Sequence, residues 1–325
     1  MNKIFRPTHI GAFALGITLL LAACNLRSVP ASTSSDADAR PTTTPTPATT
    51  TFVTIPIPTD SLPLTGEPAV PDTYPDAVYS WDPYCFDRLI GAYEADTRLL
   101  VDAILNYQPS VELSLEHART VVNNISFEFP PSSLADFSVL DGMVTITYLH
   151  SEEEHARQLI AFESAVNRAL SILSAEDGEA RRATLLYNWV VENVSYFTTD
   201  YTDKEITAFS ALTAGETICY GFADAFGYLL RQTGMEAHLW RGGTYTFNGF
   251  SDHGWCYAKV DGDYYHFDPT WERSNYKSTG VNRYTYFGMT DQKRFTSLSR
   301  SCVSGFGALE EVCDVTKADH KLDKE

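Results

Sequence analysis

The sequence predicts an α+β fold, and three observations carry that expectation. Two stretches in the middle of the chain space their apolar residues as helices do. A third such stripe begins at a cysteine, and an Asp-Gly pair then joins two short alternating runs, the pattern of an antiparallel hairpin.

Taken in order, residues 87–107 place Leu89, Tyr93, Leu99, Leu100 and Ile104 at helical spacing, and residues 143–149 alternate like a strand. Ser151 with Glu154 has the form of a capping box ahead of Leu159, Phe162, Val166, Leu170 and Leu173, which share one helical face. A second helix over residues 179–194 carries Ala183, Leu186, Val190 and Val194 as its stripe. Both stripes read as core. Cys219 opens a third helix, with Phe222, Phe226, Leu229 and Leu230 buried and Gly234 as the stop signal. The strands 253–260 and 263–267 flank Asp261-Gly262. A two-residue turn there pairs Val260 with Asp263, Trp255 with Asp268 and His253 with Thr270.

The ends of the chain do not belong to this fold. Lys3 and Arg6 precede an apolar run from Ile10 to Ala23, which is short for a membrane span and basic on one flank only, as in a secretory signal. The run closes on Leu21-Ala22-Ala23-Cys24, which resembles a bacterial lipoprotein processing box. That resemblance implies cleavage before Cys24, a lipid on its sulfur and an extracytoplasmic protein anchored to the membrane. Residues 24–77 are rich in Thr, Pro, Ser and Ala and read as a disordered stalk reaching on the order of 40 Å. The expected organisation is a signal peptide at 1–23, this linker, an N-terminal α/β extension at 78–175, a catalytic domain at 176–300 and a tail at 301–325.

A net charge of −18 argues against a nucleic-acid partner and against basic adhesion to anionic lipid. No HExxH, P-loop, GxSxG, dinucleotide fingerprint or calcium-loop pattern occurs. The remaining histidines do not gather at metal-ligand spacing, so neither a cofactor nor a metal is expected. Of six cysteines, a lipidated Cys24 and a free Cys219 would leave four with three possible pairings, among which Cys302 with Cys313 is the most local and would leave Cys85 with Cys256.

Cys219 stands where unpaired backbone N–H groups and the helix dipole favour an anion, which suits a thiolate and the oxyanion of a tetrahedral intermediate. A merely structural cysteine at a helix start is the competing reading. The hairpin weighs against it, because its register brings His253 and Asp268 to one face as diagonal neighbours. An Asp so placed fixes the imidazole tautomer and leaves the other ring nitrogen to exchange a proton with Cys219. Trp255 and Trp271, near the same pair, are placed to line a substrate groove or shield the site from water, although core packing is the commoner fate of such tryptophans; Tyr264, Tyr265 and His266 read as packing within the hairpin.

Ile218-Cys219-Tyr220-Gly221, then His253-Gly254-Trp255, then Asp268-Pro269-Thr270-Trp271 on the next strand together resemble the bacterial transglutaminase-like proteins. Asn193-Val194-Ser195-Tyr196 also resembles the segment that precedes the cysteine in that family. The resemblance implies a papain-like core, with the nucleophile at a helix N-terminus packed on an antiparallel sheet. It also implies that Cys219, His253 and Asp268 act as nucleophile, general base and orienting acid. Many relatives carry Asn where this chain has Cys256, which by strand alternation points away from His253. The implied activity is attack on an amide or peptide carbonyl through a Cys thioester, by a peptidase, amidase or cross-linking acyltransferase. Its expected partner is a peptide or protein, cell-wall peptide included. The alternatives are a catalytically idle surface lipoprotein that binds peptide or wall components, and a solute-binding lipoprotein.

Overall fold

The computed structural model describes residues 77–197, 202, 205–246, 249–296 and 302–304. The signal peptide, Cys24, the linker before residue 77, Cys313 and the tail from 305 lie outside them, as does the side chain of Cys302. The expected Cys302–Cys313 pair therefore lies outside the described residues.

The N-terminal part comprises α1 (Glu94–Leu105), β1 (Ser110–Glu112), α2 (Ala118–Glu128), β2 (Ala135–Leu140) and β3 (Met143–Tyr148), with an antiparallel sheet in the order β1-β3-β2. Its own core includes Leu100, Ile104, Val121, Ile125, Phe129 and Val144. The helix expected over 87–107 begins only at Glu94. The backbone N–H groups of Asp87 and Arg88 donate to the buried Glu128 carboxylate at 2.5 and 3.0 Å rather than to a helix, and Gly91 takes a positive φ of 60°.

Two helices follow as the spacing predicts, α3 (Glu152–Leu170) and α4 (Glu179–Asn193). Ser151 caps α3 by accepting from Glu154 N at 3.3 Å. Next come β4 (Ser195–Tyr196), α5 (Ala208–Thr213), β5 (Glu216–Thr217), and α6 (Cys219–Arg231). The chain continues through β6 (Ala237–Thr246), β7 (Gly249–Val260), β8 (Asp263–Phe267), α7 (Pro269–Thr279), α8 (Asp291–Thr296) and β9 (Cys302–Ser304). The second sheet runs β8-β7-β6-β9, all antiparallel, while β4 and β5 form a short parallel pair. A mixed helix-and-sheet architecture thus holds, with α6 packed against the sheet.

That packing has a plain source. Phe222, Phe226, Leu229 and Leu230 are fully buried with Leu186, Val190, Ala258 and Phe267, each side chain worth about 1.5–3 kcal/mol in area removed from water. Trp81 joins the two cores: its indole N–H donates to Tyr228 Oη at 2.8 Å and its ring stacks on Phe129 at 6.4 Å.

The hairpin register is the one the turn dictates, from Val260↔Asp263 to Cys256↔Phe267. Asp261 and Gly262 have φ of 51° and 94°, the two positive values a type I′ turn needs. The ladder stops at Phe267, however. Asp268-Pro269-Thr270-Trp271 is not strand. Asp268 caps α7 and Pro269 occupies its first turn, so Trp255 has no Asp268 opposite it and His253 no Thr270. Aspartate followed by proline at the first helical position was the available signal.

Cys85 and Cys256 are free thiols, so the pairing between them is not made. Cys256 is wholly buried with its sulfur against Gly227 of α6, whereas Cys85 lines a surface cleft beside Arg231 and His238.

Candidate active site

Cys219 is the first residue of α6, preceded by Ile218 in extended conformation and without a side-chain cap. No side chain of Ile218 competes for the N–H groups that open the helix beside the sulfur. Gly221, two residues on, has no room for a side chain: a Cβ there would stand 1.9 Å from Thr217 Oγ1 and 2.9 Å from the Thr207 carbonyl oxygen. This close approach presses the start of α6 onto the Thr207–Thr217 segment, which explains the Cys-x-Gly spacing. Cys219 is only 6% exposed.

His253, on β7, is 4% exposed and engages both partners. Its Nε2 lies 2.7 Å from Asp268 Oδ2, and it shares a hydrogen bond with the Cys219 side chain, so sulfur, imidazole and carboxylate meet in one place. Burial alone would push the imidazole down. The charge of Asp268 and its hydrogen bond, with a smaller contribution from Cys219, outweigh burial and lift it to about 9. At neutral pH the ring is therefore an imidazolium able to stabilise a thiolate and to give up a proton.

Asp268 is completely buried, and every polar atom it carries is used. Oδ1 accepts from the Trp271 backbone N–H at 3.1 Å as the cap of α7. Oδ2 accepts from His253 and from Arg294 Nη2 at 3.0 Å. The backbone carbonyl accepts from Tyr187 Oη at 3.1 Å, and the backbone N–H donates to the Tyr286 carbonyl at 2.8 Å. Burial pushes this carboxyl up, but His253, Arg294 and the Trp271 N–H overcome it and hold the group below its ordinary range. The single turn at Asp268 thus orients the histidine and starts a helix.

Two indoles enclose the pair. The His253 ring stacks on Trp271 at 4.5 Å with a 9° interplanar angle, and Trp255 lies 6.1 Å away on a near-parallel plane. The Arg294 guanidinium sits over the same rings, 4.1 Å from the Trp255 centroid and 4.6 Å from that of Trp271. Two cations therefore lie against both tryptophans and share one carboxylate oxygen. Trp255 is in turn fixed by its N–H, which donates to His266 Nδ1 at 2.9 Å, while His266 Nε2 donates to Asp291 at 3.0 Å. Burial drives His266 down to about 4, which keeps it neutral in this chain of bonds.

The structure brings together Cys219, His253 and Asp268, the three residues that spacing singled out. It adds Arg294 and Asp291, which the sequence did not reveal, and draws His266, read from the sequence as hairpin packing, into the chain of bonds behind Trp255. Arg294 sits in α8 without a motif around it. Trp255 and Trp271 pack as expected, but against the imidazole itself. Among the described residues no three His, Cys, Asp or Glu side chains gather as a metal site, and no helix is long and apolar enough to cross a membrane.

Residues 167–269 match the family model of the Transglutaminase-like superfamily, so this part of the chain carries a transglutaminase-like core. The match ends at Pro269 and leaves out the rest of α7 and all of α8. Among solved structures, one similar chain is a candidate cysteine protease from Cytophaga hutchinsonii, 25% identical over 26% of this chain and 29% of that one, with a TM-score of 0.24. Another is described as a TGase, 14% identical over 59% of this chain and 55% of that one, with a TM-score of 0.28. The chain therefore spans under a third of the first and about half of the second. No curated protein matches the chain significantly.

Proposed function

We propose that the chain is a thiol acyl-transfer enzyme acting on amide or peptide carbonyls, and that a lipid on Cys24 holds it at the outer face of a bacterial membrane. The observation that carries the first part is the His253 imidazole, held between the Asp268 carboxylate and the Cys219 sulfur and lifted to about 9. In this reaction the Cys219 thiolate attacks the carbonyl carbon, and the oxyanion forms against the N–H groups that open α6. Collapse of the intermediate expels the amine, which takes the proton from His253 and leaves a thioester. The now neutral imidazole removes a proton from the acceptor, whose attack releases Cys219 and restores the imidazolium. Water as acceptor makes the reaction a hydrolysis; an amine makes it a transglutamination. Asp268 keeps the ring oriented through both halves, and the two tryptophans keep water from it.

The test is alkylation by iodoacetamide at pH 6.5, read by peptide mass spectrometry. Cys219 is expected to react far faster than Cys85, and His253→Ala to abolish the difference. Equal labelling in wild type and His253→Ala would end the proposal. For the anchor, incorporation of a labelled fatty acid that survives Cys24→Ala would refute it.

A further inference from the structure

Alternating guanidinium groups and aromatic rings form a row that ends beside Cys219. The guanidinium carbon of Arg88 lies 5.5 Å from the centroid of Phe127, and that of Arg241 lies 4.5 Å from the same ring. Arg241 also covers Tyr220, at 5.4 Å. Tyr220 follows Cys219 directly, and its ring rests on Gly254, which follows His253: a Cβ built on Gly254 would stand 2.5 Å from a Tyr220 ring carbon. The β6–β7 register sets Arg241 directly opposite Gly254. Arg241 thus lies against the residue that follows Cys219, on the α6 face of the sheet, the face opposite the one the His253 ring occupies. Arg88 is fixed in turn, with Nη2 donating to the Leu239 carbonyl at 2.8 Å.

Arg241 is held by aromatic faces rather than by an ion pair. Arg98 pairs with Glu94, Arg157 with Glu154 and Arg294 with Asp268, while Arg88, Arg231 and Arg273 donate to backbone carbonyls. Arg241 is exposed, and among the described residues no carboxylate lies in ion-pair reach of it. Aromatic faces hold a cation in place without neutralising it, and they leave the edge of the guanidinium fork open for two parallel hydrogen bonds to a carboxylate. Ordering that side chain has already been done by the two rings, so a carboxylate arriving there meets a fixed partner.

We propose that Arg241, backed by Phe127, Tyr220 and Arg88, forms a subsite for a carboxylate of the substrate, so that the enzyme prefers peptides carrying an acidic residue near the attacked amide. This rests on the acyl-transfer reading above and adds the substrate class to it. Because the subsite is open to solvent, the discrimination is about three- to fivefold and fades as salt rises.

Two measurements on the full chain test it. The first is the ratio of Cys219 alkylation by iodoacetate, an anion, to that by neutral iodoacetamide. Arg241→Gln is expected to lower this ratio about threefold and Arg241→Glu further, with Arg241→Lys retaining most of it. The imidazolium of His253 is common to all four proteins, so the comparison isolates Arg241. The second is turnover of matched pentapeptide amides carrying Glu or Gln beside the attacked group, where the wild type prefers the Glu series and Arg241→Gln does not. An unchanged alkylation ratio in Arg241→Glu, or a Glu preference that survives in Arg241→Gln, overturns the subsite. Wild-type Cys219 labelling no faster than that of Cys85 sinks the acyl-transfer reading itself, and the subsite with it.

Discussion

Replacing Asp268 by Asn removes a charge while keeping the size and the capping oxygen of the side chain. In the wild type, burial depresses the His253 imidazole and the Asp268 charge more than reverses this, leaving it at about 9. Without that charge burial is opposed only by the smaller contribution of Cys219, and the imidazole falls back towards its ordinary 6.5. A drop to 6.5 is worth roughly 3 kcal/mol, or about 300-fold in the imidazolium-to-imidazole ratio. Stability follows the same linkage. A folded-state value above the unfolded one gives stability that is full below 6.5 and lost as pH rises through about 9. In Asp268→Asn that slope flattens. Arg294 is meanwhile left buried without its carboxylate, at a cost of about 3–5 kcal/mol. The double variant Asp268→Asn with Arg294→Met therefore regains stability without regaining the imidazolium. Histidine-labelled protein followed by ¹⁵N NMR, assigned against His253→Ala, reads the titration directly, and urea unfolding reads the stability. A His253 titration still near 9 in Asp268→Asn would refute the reasoning, because some other group would then be holding the proton.

Three further outcomes are expected. Arg294→Met leaves the Asp268 charge to act on His253 alone, so the NMR titration of His253 moves above about 9, whereas Arg294→Lys keeps it near the wild-type value; identical titrations in all three proteins would assign Arg294 to packing only. Gly221→Ala drives a methyl group into Thr217 and the Thr207 carbonyl, lowering stability by about 1–3 kcal/mol and slowing Cys219 alkylation, as thermal unfolding and iodoacetamide kinetics will show. Asp224, wholly buried on α6, is pushed up to about 7 by burial, against the opposing pull of Arg231 and the Ala208 N–H. Its contribution to stability is full below the ordinary 3.8 and lost as pH rises through about 7, so Asp224→Asn gains up to roughly 4 kcal/mol at pH 8 and little at pH 4, measured by urea unfolding at both.

Local rules in the sequence determined a good part of this protein. The stripes of α3, α4 and α6 were legible because burial on one helical face imposes a 3.6-residue period. The β7–β8 register was legible because Asp261-Gly262 admits only one tight turn. From these alone Cys219 falls at a helix start and His253 one strand-length from Asp268. What they could not supply was long-range. β6 contains Gly242, Gly243 and Arg241 in place of a clean alternation, and it forms a strand because β7 and β9 lie on either side of it. The helix expected from residue 87 yields its first turns to the Glu128 carboxylate, 40 residues away. Arg294 reaches Asp268 across 26 residues, and nothing in a short window marks it. Periodicity and turn chemistry act between neighbours along the chain. A buried charge takes its partner from whatever the closed fold places beside it, and only the tertiary structure decides that.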